Sequence, residues 1–220
     1  MEHQITAIKP QKRNPNRVNI FLDGEYAFSL AIIVATWLKT NQVIDDRKLE
    51  QLQNADSEEK AFQRALNFIS YRPRSEAELK ARLEKAGFSS DVVERTRNRM
   101  NASGLIGDQE FSRMWVENRV HAHPRSQRML AFELQRKGVD QSHIDEALLT
   151  VPEDQELALA AGKNYARRLE RASLEEFRKR LMGFLARKGF RYDVILQVIP
   201  AIWAEINIKN GAAMGEKSNG

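Results

Sequence analysis

Eight basic side chains in the middle of the chain have the charge and the spacing to bind phosphates or an acidic wall of a partner. These candidates are Arg72, Arg74, Arg82, Lys85, Arg125, Arg128, Arg136 and Lys137. Four of them flank the starts of two predicted helices: Arg72, Arg74, Arg125 and Arg128. The helix dipole slightly opposes a positive charge at that end, so local helix stability does not explain them. Two interpretations stay open for these four, anion binding and ordinary solvated surface.

A second group of cations lies in the last turn of a predicted helix, before a glycine. Its members are Lys85, Arg136, Lys137, Arg187 and Lys188. The helix dipole stabilises a positive charge at this end, typically by about 0.3 to 1 kcal/mol. Helix stability alone accounts for this group, and binding is the alternative.

No grouping of side chains predicts catalysis. The chain has no cysteine, which excludes thiolate chemistry and cysteine-ligated metal sites. Phosphate-binding glycine loops, the zinc-protease motif and a serine, histidine and aspartate grouping are all absent from the sequence. We therefore expect a protein that is not an enzyme and that carries no cofactor.

Two further groups suggest chemistry but have simpler explanations. His121 and His123 resemble a metal pair, but further ligands are missing nearby, so a loop is the favoured interpretation. Phe111 and Trp115 would stack on bases in a nucleic-acid site. They share a helix face with Met114, and we predict that they belong to the core instead.

Composition and charge indicate the class of protein that carries these side chains. The 220 residues are 42% hydrophobic and 30% charged, which is typical of a globular protein. The longest apolar run, from Leu30 to Leu38, is too short for a bilayer span of about 20 residues. The beginning of the chain has no signal-peptide pattern, so we expect a cytoplasmic protein without a membrane partner. Residues 60–140 carry 16 Lys and Arg against 10 Asp and Glu, whereas residues 1–59 carry 7 against 9.

The first part of the chain predicts a small β element. Hydrophobic residues alternate along 18–22 and along 26–30, on either side of Asp23-Gly24. Asp-Gly between two such runs is a strong hairpin signal, because a type I′ turn requires positive φ at both central residues. Gln4 to Lys9 is predicted as a third strand. Two short helices should follow, one ending at Leu38 and one around Asp46 to Gln53.

The rest of the chain contains a 51-residue tandem repeat. Five positions recur without a gap: Leu79, Leu83, Gly87, Phe88 and Val93 match Leu130, Leu134, Gly138, Val139 and Ile144, and then Leu181, Leu185, Gly189, Phe190 and Ile195. Each glycine is predicted to end a helix in the left-handed conformation of a Schellman cap. Ser75 and Glu78 form a capping box at the start of the first of these helices.

We predict a mainly α fold of tandem three-helix-bundle repeats in an elongated array, with a small N-terminal β-hairpin element. The leading helices of the three copies are predicted at Phe62 to Ser70, Gln109 to Val120 and Leu157 to Arg171. The predicted divisions are a β element with short helices at 1–56, repeats at 57–107, 108–152 and 153–206, and a flexible tail at 207–220.

Several of these segments resemble the RecX family of regulatory proteins. The resemblance is carried by the run from Ala65 to Phe88, which includes Tyr71-Arg-Pro-Arg-Ser75, and by Gly104 to Phe111. Pro124 to Leu130 and Gln135 to Val139 are similar to the central repeat of that family, and the hairpin resembles the extension of its longer members. The third copy departs from the pattern, with Phe177 where Ser75 stands and Gly183 where Phe132 stands.

The resemblance implies a regulator that binds the RecA recombinase filament on single-stranded DNA, lying in its helical groove. It also implies inhibition of strand exchange and of the coupled ATPase, in recombination, DNA repair and the SOS response. The eight candidate cations are then the expected filament or DNA contacts, and we expect a monomer. Two alternatives stay open. Helix, glycine turn and helix can also form a helix-turn-helix of a DNA-binding transcriptional regulator, and a generic helical interaction scaffold would contact neither RecA nor nucleic acid.

Overall fold

The structure, a computed structural model, describes residues 1–170 and 172–216, with side chains described up to residue 206. The chain forms two compact units, Met1–Gly107 and a second that begins at Asp108. The fold is mainly helical, with a small antiparallel sheet at the N-terminus, as predicted. Within the described ranges, no helix is both long and apolar enough to cross a bilayer.

The N-terminal sheet has four antiparallel strands in the order β3-β2-β1-β4. The strands are β1 (Glu2–Pro10), β2 (Arg17–Leu22), β3 (Glu25–Ala31) and β4 (Val43–Asp45). Asp23 and Gly24 have φ of 52° and 94°, so the predicted Asp-Gly hairpin between β2 and β3 is confirmed. Strand β4 was not predicted, because three residues with one buried side chain, Ile44, give too short a pattern to read.

The helices of the first unit are α1 (Ile32–Ala35), α2 (Asp46–Ile69), α3 (Glu76–Glu84) and α4 (Ser90–Ala102). The prediction of separate helices at Asp46 to Gln53 and from Phe62 onward was wrong, because α2 is one continuous 24-residue helix. No proline or glycine interrupts this segment. Its first half packs Leu52 into the core of the sheet, and its second half packs Ala61 and Ala65 into the core of the first three-helix repeat.

A buried carboxylate joins α2 to the sheet. Asp56 is almost fully buried and accepts two hydrogen bonds from Arg17, at 3.1 and 3.0 Å. It also accepts the backbone N–H of Ala31 at 2.7 Å and forms an ion pair with Lys60 at 2.8 Å. These bonds fix the ends of β2 and β3 against the middle of the helix.

The second unit contains the second and third repeats on one shared hydrophobic core. Its helices are α5 (Asp108–Ala122), α6 (Gln127–Gln135), α7 (Gln141–Leu148), α8 (Asp154–Ala166), α9 (Leu174–Arg187) and α10 (Tyr192–Glu216). Helix α8 ends at Ala166, earlier than the predicted Arg171, which lies outside the described residues. The flexible tail predicted from residue 207 stays a prediction. Helix α10 extends to Glu216, and residues 217–220 lie outside the described residues.

All three predicted Schellman caps are confirmed. Gly87, Gly138 and Gly189 have φ of 87°, 76° and 91°. In each copy the N–H of the following hydrophobic residue donates to the carbonyl of the leucine five positions earlier, over 3.4, 3.2 and 3.3 Å. These backbone hydrogen bonds satisfy carbonyl groups at the helix end that would otherwise lack a partner.

The third copy starts its capped helix one turn earlier than the other two. Ser75 and Ser126 are the N-caps of α3 and α6, and both are fully buried. In the third copy Ser173 caps α9 instead, and Phe177 occupies the buried position that corresponds to those serines. The ring centroid of Phe177 lies 4.8 Å from that of Trp203, so an aromatic contact stands at the position where the other copies have the buried serine hydroxyl.

Candidate anion-binding surface

Arg72 is bound to the capping box that starts α3. The Ser75 hydroxyl accepts the N–H of Glu78, and the Glu78 carboxylate accepts the N–H of Ser75. Arg72 donates two more hydrogen bonds to this carboxylate, at 3.1 and 3.0 Å. The guanidinium therefore helps to hold the start of α3. This ion pair gives Arg72 a structural role, although the helix dipole disfavours a positive charge at that end. Its predicted binding role stays a prediction.

Arg74 and Arg82 lie at the ring of Phe68. Their guanidinium carbons are 4.1 and 5.8 Å from the ring centroid. Arg74 Nε also donates to the Phe68 carbonyl at 3.4 Å. Burial lowers the pKa of Arg74, the neighbouring charges of Arg72 and Arg82 lower it further, and Glu78 raises it. Arginine stays charged in any case, so Arg74 keeps its positive charge beside those of Arg72 and Arg82 at this end of the first repeat.

Arg125 belongs to a different cluster, which is centred on Glu133 of α6. This half-buried carboxylate accepts hydrogen bonds from Arg125, from Arg119 Nε at 2.9 Å and from the indole N–H of Trp115 at 3.0 Å. Arg119 also lies over the Trp115 ring, 4.4 Å from its centroid. One carboxylate thus holds together α5, α6 and the segment between them.

The Glu133 cluster carries more positive than negative charge. Burial lowers the pKa of Lys188, the neighbouring Arg125 lowers it further, Glu133 raises it and Arg119 lowers it. Lys137 lies over Trp115, with its Nζ 5.3 Å from the ring centroid. Two of the eight candidates therefore belong to this cluster, Arg125 through the Glu133 carboxylate and Lys137 through the Trp115 ring.

The remaining candidates lie on the solvent-exposed surface of the repeats. Lys85, Arg128 and Arg136 are exposed, and the structure gives them no carboxylate partner within its described part. Arg136 lies over the half-exposed ring of Phe132, 5.9 Å from its centroid. These three cations are available to an anionic partner without breaking an ion pair.

Sequence reasoning missed Lys60 and Arg64 on α2. They lie on one face of the helix with Asn67, at spacings of four and three residues. This polar face is opposite to the apolar stripe that predicted the helix, and its spacing was the signal that would have identified it. Both cations line a groove of about 1250 Å³ in the first unit, together with Arg74 and Arg82.

The structure shows where the aromatic and histidine side chains singled out in the sequence lie. Phe111 is buried in the core, and Trp115 packs partly buried against it, 5.7 Å between centroids. His121 lies in the last turn of α5 and not in a loop, whereas His123 lies just beyond that helix. Among the described residues, no group of three or more His, Cys, Asp or Glu side chains is placed to hold a metal ion.

Comparison with known proteins matches the chain domain by domain. The family description "Regulatory protein RecX N-terminal domain" matches residues 3–45. The first, second and third three-helix domains of RecX match residues 61–100, 108–148 and 153–199. "Regulatory protein RecX" of Bacillus subtilis is 36% identical over 195 residues, which are 87% of this chain and 74% of the relative. This chain belongs to the RecX family.

Other RecX proteins support the same assignment. "Regulatory protein RecX" of Oceanobacillus iheyensis is 32% identical over 206 residues, covering 89% of this chain and 75% of the relative. The solved structure "Crystal structure of regulatory protein RecX" has a TM-score of 0.71 at 26% identity and covers 89% of this chain and 98% of its own. RecX from Lactobacillus salivarius shares the fold, with a TM-score of 0.57 at 24% identity, over 67% of this chain and 97% of its own.

Proposed function

We propose that this RecX protein binds the RecA recombinase filament on single-stranded DNA and inhibits its strand exchange and ATPase activities. The observation that carries the proposal is the match to all four RecX domains in order along the chain. The relatives at 32 to 36% identity are named regulatory proteins, which supports a role that requires no catalytic site.

The surface charges are consistent with an anionic partner. Lys85, Arg128 and Arg136 are exposed and lack a carboxylate partner within the described chain. Such cations gain binding free energy at a phosphate backbone because they release its condensed counterions. Arg72 and Arg125 are less available, since Glu78 and Glu133 already hold them.

The proposed mechanism is competition in the filament groove. Each repeat contributes a weak contact, and the connected repeats bind with avidity that a single repeat lacks. Occupation of the groove by the repeats excludes incoming duplex DNA and favours disassembly of the filament. The proposal places the protein in the cytoplasm as a monomer, and direct contact with DNA is part of it.

A transcriptional helix-turn-helix role receives no support from the first repeat. In that reading α4 would present basic side chains to the major groove. Three arginines of α4 are instead paired with glutamates: Arg95 with Glu58, Arg97 with Glu76 and Glu94, and Arg99 with Glu59. The pairs with Glu58, Glu59 and Glu76 join α4 to α2 and α3.

The test is a titration of RecA on single-stranded DNA. Wild-type protein should lower the DNA-dependent ATPase rate and strand exchange when present at or below the concentration of RecA. The variant K85Q/R128Q/R136Q should inhibit less, while K39Q/R47Q/K48Q removes the same charge from exposed positions near the sheet and should inhibit like wild type. Unchanged RecA activities with wild-type protein would reject the proposal.

A further inference from the structure

The groove of the first unit combines features that the eight sequence candidates do not explain. Helix α2 forms its floor, the sheet with the loop after β1 forms one wall, and α3 forms the other. Its volume is about 1250 Å³. The charged and amide side chains of the floor share one face of α2, since Lys60, Arg64 and Asn67 follow at spacings of four and three residues. Tyr71 lies just beyond the end of the helix.

Three arginines in the groove form no ion pair within the described part of the chain. These are Arg64, Arg74 and Arg82. The acidic residue in the lining, Glu59, is bound by Arg99 at 2.9 Å. The groove therefore carries uncompensated positive charge in a concave site, which concentrates the electrostatic field on an anion.

The groove is formed before any ligand binds. Asp56 accepts bonds from Arg17 and from the Ala31 N–H, which ties the sheet wall to the floor. The capping box of Ser75 and Glu78 fixes the start of the other wall. The walls are therefore already in place when a ligand binds. Less conformational entropy is lost on binding than at a site that has to be ordered by its ligand.

One aromatic ring at the end of the floor is free. Tyr71 is 85% exposed and has no partner among the described residues, directly after α2. The nearby ring of Phe68 differs, because Arg74 lies over it at 4.1 Å. An exposed tyrosine beside cations and side-chain amides is the combination with which proteins stack an unpaired base and hold its backbone.

We propose that this groove binds one single strand of nucleic acid. Arg64, Arg74 and Arg82 contact its phosphates, Tyr71 stacks on a base, and the amides of Gln63 and Asn67 face the base edges. A duplex has no unstacked base to offer Tyr71. The inference deepens the proposed function and rests on it for biological meaning, because it assigns the DNA contact to the N-terminal sheet and the first repeat together.

The charge test uses a fluorescent oligothymidine of about 12 nucleotides, a typical length for such a groove. Fluorescence anisotropy at several salt concentrations gives the slope of log K against log salt. The variant R64Q/R74Q/R82Q should reduce that slope by about 2, since each phosphate contact contributes about 0.7. R64Q/R82Q avoids Arg74, which is partly buried, and should reduce it by about 1.4. K39Q/R47Q/K48Q removes the same charge outside the groove and should keep the wild-type slope.

The stacking test changes Tyr71 alone. Tyr71→Phe keeps the ring and should keep the affinity, whereas Tyr71→Leu should weaken binding by about tenfold or more. The sheet wall is tested by Asn14→Asp with Asn16→Asp, which adds two negative charges without touching a helical repeat. That variant should also weaken binding. An oligouridine of equal length separates RNA from DNA as the source of the strand.

Two controls make the outcome decisive. A hairpin duplex should bind more weakly than the single strand and should not respond to Tyr71→Leu. A polyglutamate peptide that binds as tightly as the oligonucleotide, with the same loss in Tyr71→Leu, would overturn the inference in favour of an acidic protein segment. Groove variants with wild-type DNA affinity and salt slope would also overturn it.

The RecA titration separates this inference from the proposed function. If wild-type protein inhibits RecA but the groove variants bind oligonucleotide normally, the groove assignment fails and the proposed function stands. If wild-type protein binds oligonucleotide through the groove but leaves RecA unaffected, the proposed function fails instead.

Discussion

Gly189, which ends α9, packs against Ser126, the N-cap of α6. A Cβ built at position 189 would lie 2.6 Å from Ser126 Oγ and 2.8 Å from Met129 Cβ. The N–H of Ser126 donates to the carbonyl of Lys188 at 3.2 Å. The glycine that ends a helix in the third repeat is therefore also part of the junction with the second repeat.

We expect Gly189→Ala to cost more stability than Gly87→Ala. Both glycines have left-handed φ, where a Cβ costs about 1 to 2 kcal/mol. At Gly87 nothing lies within 4 Å of the added Cβ, whereas at Gly189 it meets packed atoms. The free energy of unfolding should fall by about 1 to 2 kcal/mol for Gly87→Ala and by about 2 to 5 kcal/mol for Gly189→Ala. Urea unfolding followed by circular dichroism measures both, and equal losses would contradict a tight junction.

Removal of the Glu133 carboxylate should destabilise the second unit. Arg119, Arg125 and the Trp115 indole would lose a shared partner while staying partly buried. We expect Glu133→Gln to cost about 2 kcal/mol. Glu117→Gln is the matched control on α5, because its partner Arg113 is exposed and such a pair contributes at most about 1 kcal/mol. Urea unfolding gives the free energies, and similar values for the two variants would show that the cluster is not structural.

The cap of α3 offers a comparison of two serines at equivalent helix positions. Ser75 is buried and its hydroxyl accepts the Glu78 N–H, whereas Ser89, the N-cap of α4, forms no side-chain cap bond. Ser75→Ala should cost about 1 to 2 kcal/mol, and Ser89→Ala should cost a few tenths. Thermal unfolding compares them under one condition. A larger loss for Ser89→Ala would contradict the capping box as the reason for serine at position 75.

Local signals explain why the caps and the hairpin were predictable. A Schellman cap depends on residues within one turn, and the Asp23-Gly24 turn depends on two residues with positive φ. The continuous helix α2 was missed for the opposite reason. Its middle is polar, and the contact that joins this middle to the sheet is made by Asp56, whose partner Arg17 lies 39 residues earlier.

The candidate site was likewise predictable where its signal is local and not where it depends on contacts between distant segments. The charge of Arg72 and Arg125 was evident from the sequence, but their partners Glu78 and Glu133 become visible only in the folded chain. The groove was not predicted because its two walls come from segments about 50 residues apart, and no local pattern joins them. Arg64 could have been found from the polar face of α2, whereas the exposure of Tyr71 could not.

The Asp56 carboxylate should make the stability of the first unit sensitive to acid. Burial raises the pKa of Asp56, but hydrogen bonds from Arg17, Lys60 and Ala31 outweigh it, and the pKa is lowered from its ordinary value of 3.8. A carboxyl whose pKa is lower in the folded state stabilises the fold above the unfolded pKa and loses this contribution as pH falls through the folded pKa. The contribution should therefore be complete at pH 5 to 7 and should decline below about pH 4.

Asp56→Asn isolates this contribution. The variant leaves Arg17 partly buried without a countercharge, and we expect a loss of about 3 kcal/mol at neutral pH. Its deficit relative to wild type should shrink as the pH falls below about 4, because wild type then protonates the same group. Glu50→Gln removes an exposed charge from the same helix and should stay within about 0.5 kcal/mol of wild type at every pH. Urea unfolding between pH 3 and 7 measures all three proteins, and a deficit of Asp56→Asn that stays constant over this range would show that Asp56 acts through packing and not through its charge.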